Sequence, residues 1–142
     1  MTLQTSKVRA AALKNGWRSG LEEKVAAELD RHGIQYQYEK NSISFMVPSR
    51  TAKYTPDFYI KARSSKLIIC ESKGRFVTAD RQKHLLVKAQ HPELDIRFVF
   101  SNSRQTISKT SSTTYAMWCE KHGFLFAKES IPHQWLIEAK QN

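Results

Sequence analysis

Tyr54-Thr55-Pro56-Asp57-Phe58-Tyr59-Ile60, then the polar hexapeptide Lys61-Ala62-Arg63-Ser64-Ser65-Lys66, then Leu67-Ile68-Ile69-Cys70-Glu71-Ser72-Lys73, is the stretch on which the fold turns. Both flanks are short apolar runs rich in aromatic and β-branched residues, and the segment between them is polar apart from Ala62. That pattern predicts two antiparallel strands. Side chains alternate along a strand, so Glu71 and Lys73 share a face. Asp57 joins them if the register sets it opposite Glu71, which the loop length permits. Charges gathered at the end of an apolar hairpin need partners or a ligand, because burying them alone is costly. Two readings follow. One is a salt bridge between Lys73 and Glu71 at a strand end. The other is a site in which Asp57 and Glu71 offer hard oxygen ligands to Mg²⁺ or Mn²⁺.

Working outward, the chain of 142 residues has the length of one domain, and 40% hydrophobic with 11% aromatic content is that of a folded one. Its formal charge is +10 and its pI about 9.8. A balance that basic points to a polyanionic partner, nucleic acid first of all. From 61 to 88 eight Lys or Arg stand against two acids, Glu71 and Asp80, so the excess surrounds the carboxylate hairpin. Cys70 and Cys119 form no metal-ligating pair and no disulfide framework, as expected of a reducing, cytoplasmic protein. The N-terminus shows no secretory h-region, and no apolar run has membrane-spanning length.

Residues 1–18 carry Lys7, Arg9, Lys14 and Arg18 and no acid, and read as a basic arm before a single domain over 19–142. Ser19-Gly20-Leu21-Glu22 has capping-box spacing ahead of a helix with Leu21, Val25, Ala26 and Leu29 on one face, closed by Gly33. On that reading Glu22 reaches back to the Ser19 amide. Residues 34–39 and 43–47 alternate as half-buried strands, and 41–53 reads as a linker with a polar connector after Pro48. A helix is predicted from an N-cap at Thr78 to Gln90, with Leu85, Leu86 and Ala89 inward. Arg81, Lys83 and His84 on its other faces, with Arg75 ahead of it, are expected to meet phosphate. A strand over 95–100 follows, beside the hairpin in a mixed sheet. The Ser/Thr-rich segment 101–114 offers Arg104 and Lys109 to a DNA backbone. A helix over 114–122 should bury Tyr115, Trp118 and Cys119, then come a short strand near Phe124 and a last helix from Ser130.

These residues resemble the phage-type endonuclease I family, Holliday-junction-resolving enzymes of the PD-(D/E)XK nuclease superfamily. The superfamily motif is Pro56-Asp57 with Glu71-Ser72-Lys73, and the likeness extends through Arg18-Ser19-Gly20-Leu21-Glu22, Arg81-Gln82-Lys83-His84-Leu85-Leu86, His91-Pro92-Glu93-Leu94-Asp95-Ile96-Arg97 and Cys119-Glu120-Lys121-His122-Gly123. The resemblance implies a restriction-endonuclease-like α/β fold, with a mixed central sheet flanked by helices. It implies a catalytic set of Glu22, Asp57, Glu71 and Lys73, with Asp57, Glu71 and Glu22 holding two Mg²⁺ or Mn²⁺ ions. It further implies an intertwined homodimer bridged by 41–53, branched double-stranded DNA as substrate and 5′-phosphate products. The arm and the loop 61–66 depart from the family pattern. Two other readings stay open: a PD-(D/E)XK endonuclease of restriction, repair or transposon-end type, and a catalytically silent basic nucleic-acid-binding module.

Overall fold

A computed structural model describes residues 16–47 and 49–141. Lys7, Arg9 and Lys14 lie outside the described residues. The elements are α1 (Gly20–Arg31), β1 (Gln37–Tyr38), β2 (Ile43–Val47), β3 (Arg50–Tyr54), β4 (Phe58–Lys61), β5 (Leu67–Lys73), α2 (Thr78–Gln90), β6 (Asp95–Phe100), α3 (Tyr115–His122), β7 (Leu125–Lys128) and α4 (His133–Ala139).

Five strands form one sheet in the order β1-β4-β5-β6-β7, and its mixed character, with the 95–100 strand beside the hairpin, is as the sequence led us to expect. The β4–β5 hairpin is antiparallel and pairs Phe58 with Cys70, so Asp57 falls one step beyond, beside Glu71. β6 runs parallel to β5 and β7 parallel to β6. Parallel central strands are covered on both faces. Accordingly β6 is buried along nearly its whole length.

Two apolar layers enclose the sheet. On one side α1 (Val25, Ala26, Leu29) and α4 (Leu136, Ala139) pack on Phe58, Ile60, Ile68, Cys70 and Val99. On the other, Val87 of α2 and Tyr115, Trp118 and Cys119 of α3 pack on Ile69, Ile96, Phe98 and Phe100, with Phe45 and Tyr54 of the β2–β3 pair. Arg97 projects into the first layer and is 1% exposed. It is held there by Asp95 at 2.7 Å and Glu138 at 2.6 Å, and so ties α4 to the sheet.

Several expectations are revised. The segment 41–53 is no open linker: β2 and β3 pair over five positions from Ile43–Tyr54 to Val47–Arg50, and the polar connector is itself a strand. Only Phe45, Tyr54 and Ala52 of the pair turn inward, with Ile43 and Val47 packed at the margin, which is why β3 reads as polar. The apolar run beginning at Tyr54 is broken, since Tyr54 ends β3 and β4 starts at Phe58. Strand 34–39 shortens to Gln37–Tyr38. Val77, not Thr78, is the N-cap of α2, and α4 starts at His133. The inward face of α2 carries Arg81, His84 and Val87 while Ala89 is exposed. No helix among the described residues is long and apolar enough to cross a membrane.

Candidate active site

The site forms where the β4–β5 hairpin ends, because three separate segments deliver carboxylates there. Ser19 caps α1, its Oγ accepting the Glu22 amide at 3.1 Å, so Glu22 is presented in the first helical turn. Its carboxylate does not reach the Ser19 amide as a capping box would. It accepts instead from the Arg18 amide at 3.2 Å and from the Tyr38 hydroxyl. Burial, and then the nearby Asp57, push Glu22 above the ordinary carboxylate range, against the pull of the Tyr38 hydrogen bond.

Asp57 is fixed from β5. The Ser72 amide and hydroxyl donate to its Oδ2 at 3.0 and 3.1 Å. The Asp57 amide in turn donates to Glu71 Oε2 at 3.4 Å, and the Tyr54 hydroxyl donates to Glu71 Oε1. Glu71 is 2% exposed and has both oxygens engaged. Burial first, and the Asp57 charge second, hold its pKa well above the usual carboxylate value, with Lys73 opposing.

Lys73 lies on the same strand face, two residues on. Its ammonium pairs with Asp80 of α2 at 3.6 Å, so the Lys73–Glu71 salt bridge is not the arrangement adopted. Asp80 also receives Lys83 at 3.8 Å. Lys73 is thus held at the edge of the carboxylate group with a mostly buried side chain.

One participant was not found by sequence reasoning. Glu39, Glu22 and Asp57 each present a carboxylate oxygen, and the three lie within 4.8 Å of one another. Glu39 reaches the group because its backbone takes φ +51° and its amide donates to the Asp57 carbonyl at 3.3 Å. Arg18 Nη1 pairs with Glu39 Oε1 at 2.7 Å. Partial burial works against the Arg18 charge, yet Glu39, Glu22 and Asp57 together keep its pKa above the ordinary value. In the sequence Glu39 is the last residue of an alternating run, and no spacing marks it. Hard oxygen donors at this separation, without His or Cys, fit Mg²⁺ or Mn²⁺ rather than zinc. The residues that come together for such an ion are Glu22, Asp57 and Glu39, with Glu71 adjoining through Asp57.

The expected phosphate-contact residues separate into two sets. Arg18, Arg75, Arg104 and Lys109 are exposed, and Lys83 is partly so. Arg81 and His84 are not on that surface. The Arg81 guanidinium is turned inward to the Phe76 carbonyl and, at 3.0 Å, to Thr78 Oγ1, and His84 is 0% exposed. Charged or polar residue type placed both on the outer face of α2, whereas packing draws them into the core.

Comparison with known proteins places the chain in a family. The family model for phage endonuclease I matches residues 2–142, so the basic arm falls inside the match. Endonuclease I of Escherichia phage T7 is 46% identical over 125 residues, covering 88% of this chain and 81% of that protein. Endodeoxyribonuclease 1 of Enterobacteria phage T3 is 47% identical over 125 residues, covering 88% of this chain and 80% of its own length. A match of that extent, over a chain whose Asp57, Glu71 and Lys73 meet at one hairpin end beside Glu22, makes this protein a member of the phage endonuclease I family.

Proposed function

We propose that this protein is a divalent-cation-dependent endonuclease that cuts four-way and other branched DNA, working as a homodimer. The observation that carries the reading is the convergence of Glu22 from α1, Asp57 from the turn before β4, and Glu71 and Lys73 from β5. Relatives named endonuclease and endodeoxyribonuclease support DNA as substrate. So does a formal charge of +10, because phosphate neutralisation dominates the affinity of proteins for DNA.

Glu22, Asp57 and Glu39 would hold one cation, and Asp57 with the adjoining Glu71 a second. A bound divalent ion supplies positive charge that favours hydroxide at neutral pH and neutralises the oxygens of an in-line displacement. The chain's own groups do the positioning. Ser72 and the Asp57 amide set the two central carboxylates, and the Lys73 ammonium, tethered by Asp80, orients the attacking water and offsets charge on the phosphate. The products would carry a 5′-phosphate and a 3′-hydroxyl.

Preference for branched DNA would arise from shape and charge, since phosphate contacts position a protein without reading bases. In a dimer, two such sites can cut opposing strands of one junction. The fold of a single chain brings its own Glu22 to its own Asp57. A segment-swapped dimer would build the same site from two chains, with 41–53 crossing between them. A panel of four-way junction, flap, mismatched and plain duplex DNA, incubated with and without Mg²⁺, tests the reading. Junction cutting that requires Mg²⁺ is expected. Equal cutting of plain duplex would favour an end- or sequence-directed nuclease, and no cutting of any substrate would favour a binding module.

A further inference from the structure

Behind Glu71 lies a buried aromatic assembly of Tyr54, His84, Phe76 and Phe98, none of which belongs to the catalytic set. Tyr54 is 2% exposed, its hydroxyl donates to Glu71 Oε1, and its ring meets the His84 ring at 87° with centroids 5.2 Å apart. His84 is perpendicular also to Phe98, at 4.9 Å, and tilted against Phe76 at 6.3 Å. Lys83 Nζ stands over the Tyr54 ring at 5.4 Å. The imidazole nitrogens of His84 have no hydrogen-bond partner among the described residues. Burial, and then Lys73 and Lys83, keep that ring neutral, with its pKa well below the ordinary histidine value. A buried polar ring without partners lowers stability, so its place here calls for a compensating role.

We infer that Tyr54, braced by His84, is a positioning residue that fixes the Glu71 carboxylate for cation binding. This inference rests on the endonuclease reading given above. With Oε2 on the Asp57 amide and Oε1 on the Tyr54 hydroxyl, the carboxylate plane has two anchors at right places in the chain, one from each neighbour. Removal of the phenol leaves a buried oxygen without a donor and frees the carboxylate to rotate about its last bond. A ligand oxygen must be held close to its productive geometry, and partners of a ligand commonly matter to affinity by tenfold or more. The brace follows from packing: β3 supplies Tyr54, α2 supplies His84 and β6 supplies Phe98, so three elements meet on one ring system.

The test is Tyr54→Phe, which keeps the ring and deletes one oxygen. Mn²⁺ binding to the full chain is followed by electron paramagnetic resonance, and cleavage and DNA affinity are measured alongside. The expected result is Mn²⁺ affinity about tenfold weaker, cleavage reduced in parallel and partly restored at high Mn²⁺, with DNA affinity unchanged. A folded Tyr54→Phe protein with Mn²⁺ affinity equal to or tighter than that of the unaltered chain would overturn the inference. His84→Leu, which removes the brace and leaves the hydroxyl, should weaken Mn²⁺ in the same direction. If Tyr54→Phe fails to fold, the His84 variant decides the matter by the same criterion. The unaltered chain serves as the control: should it bind no Mn²⁺ and cut no DNA, the endonuclease reading itself fails, whereas unchanged behaviour of the variants against an active control removes only the role of Tyr54.

Discussion

Ser72 grips Asp57 twice, from its amide at 3.0 Å and its hydroxyl at 3.1 Å, and both bonds end on the same carboxylate oxygen. Asp57 is therefore set by the strand that carries Glu71 and Lys73, and its other oxygen is spared by Ser72. Replacing Asp57 or Glu71 with Ala should reduce cleavage on the order of a thousandfold or more while leaving junction binding intact. Electrophoretic mobility shift and single-turnover cleavage, run on one preparation, check both halves. Normal cutting by either variant would remove that residue from the site.

Lys73 faces the carboxylates from the edge and is tethered to Asp80 at 3.6 Å. Lys73→Ala should slow single-turnover cleavage about a hundredfold, the usual cost of losing one group aimed at developing charge, with cation binding retained. Titration with Mn²⁺ separates the two effects.

Glu71 links stability to pH. Its pKa in the folded protein is raised above the ordinary value by burial and by Asp57, so between the unfolded and folded pKa the native state binds more protons than the unfolded chain. Under that sign, stability is greatest below the unfolded carboxylate pKa and falls as pH rises through the folded one. Glu71→Gln, whose amide can still pair with the Tyr54 hydroxyl and the Asp57 amide, should stabilise the protein at neutral pH by about 1 kcal/mol while abolishing cleavage. The stabilisation should vanish below about pH 4, where a free carboxyl is protonated in both states. Thermal melts of both proteins from pH 3.5 to 8 would show it.

Surface and core cations should behave differently. Ala at Arg75, Arg104 or Lys109, all exposed, should each weaken DNA binding and lower the salt slope by about one. Arg81→Ala should leave the salt slope alone and cost about 1–3 kcal/mol of stability, since it strips the Phe76 carbonyl of its donor. Binding isotherms at several salt concentrations, paired with urea melts, discriminate the two classes.

Heterodimers test how protomers share the site. In a swapped dimer of Glu22→Ala and Asp57→Ala chains, both lesions fall in one site and the other is whole, so nicking of one strand should survive. In an unswapped dimer each site carries one lesion, and cleavage should be lost. Strand-specific labelling of a four-way junction reads the difference.

The alternation of Leu67 to Lys73, the turn chemistry around Gly33 and Pro92, and the helical spacing of Tyr115, Trp118 and Cys119 are local patterns, and they sufficed for the α/β class and most elements, whereas Glu22 was singled out as more than a capping residue only by the family resemblance. The hairpin length permitted Asp57 to fall opposite Glu71, and the observed Phe58–Cys70 register sets it there. Local periodicity misplaced residues whose surroundings come from elsewhere in the chain. Arg81 and His84 are polar by type yet are buried: His84 is enclosed by Tyr54, Phe76 and Phe98, which arrive from β3, the segment before α2 and β6, and Arg81 turns inward to the Phe76 carbonyl. Glu39 joins Glu22 and Asp57 only through a left-handed backbone turn and a long-range amide bond. Residue type and spacing carry what neighbours along the chain decide; packing across the sheet decides which charges are buried and which carboxylates meet, because burial and electrostatic contact depend on distances in space.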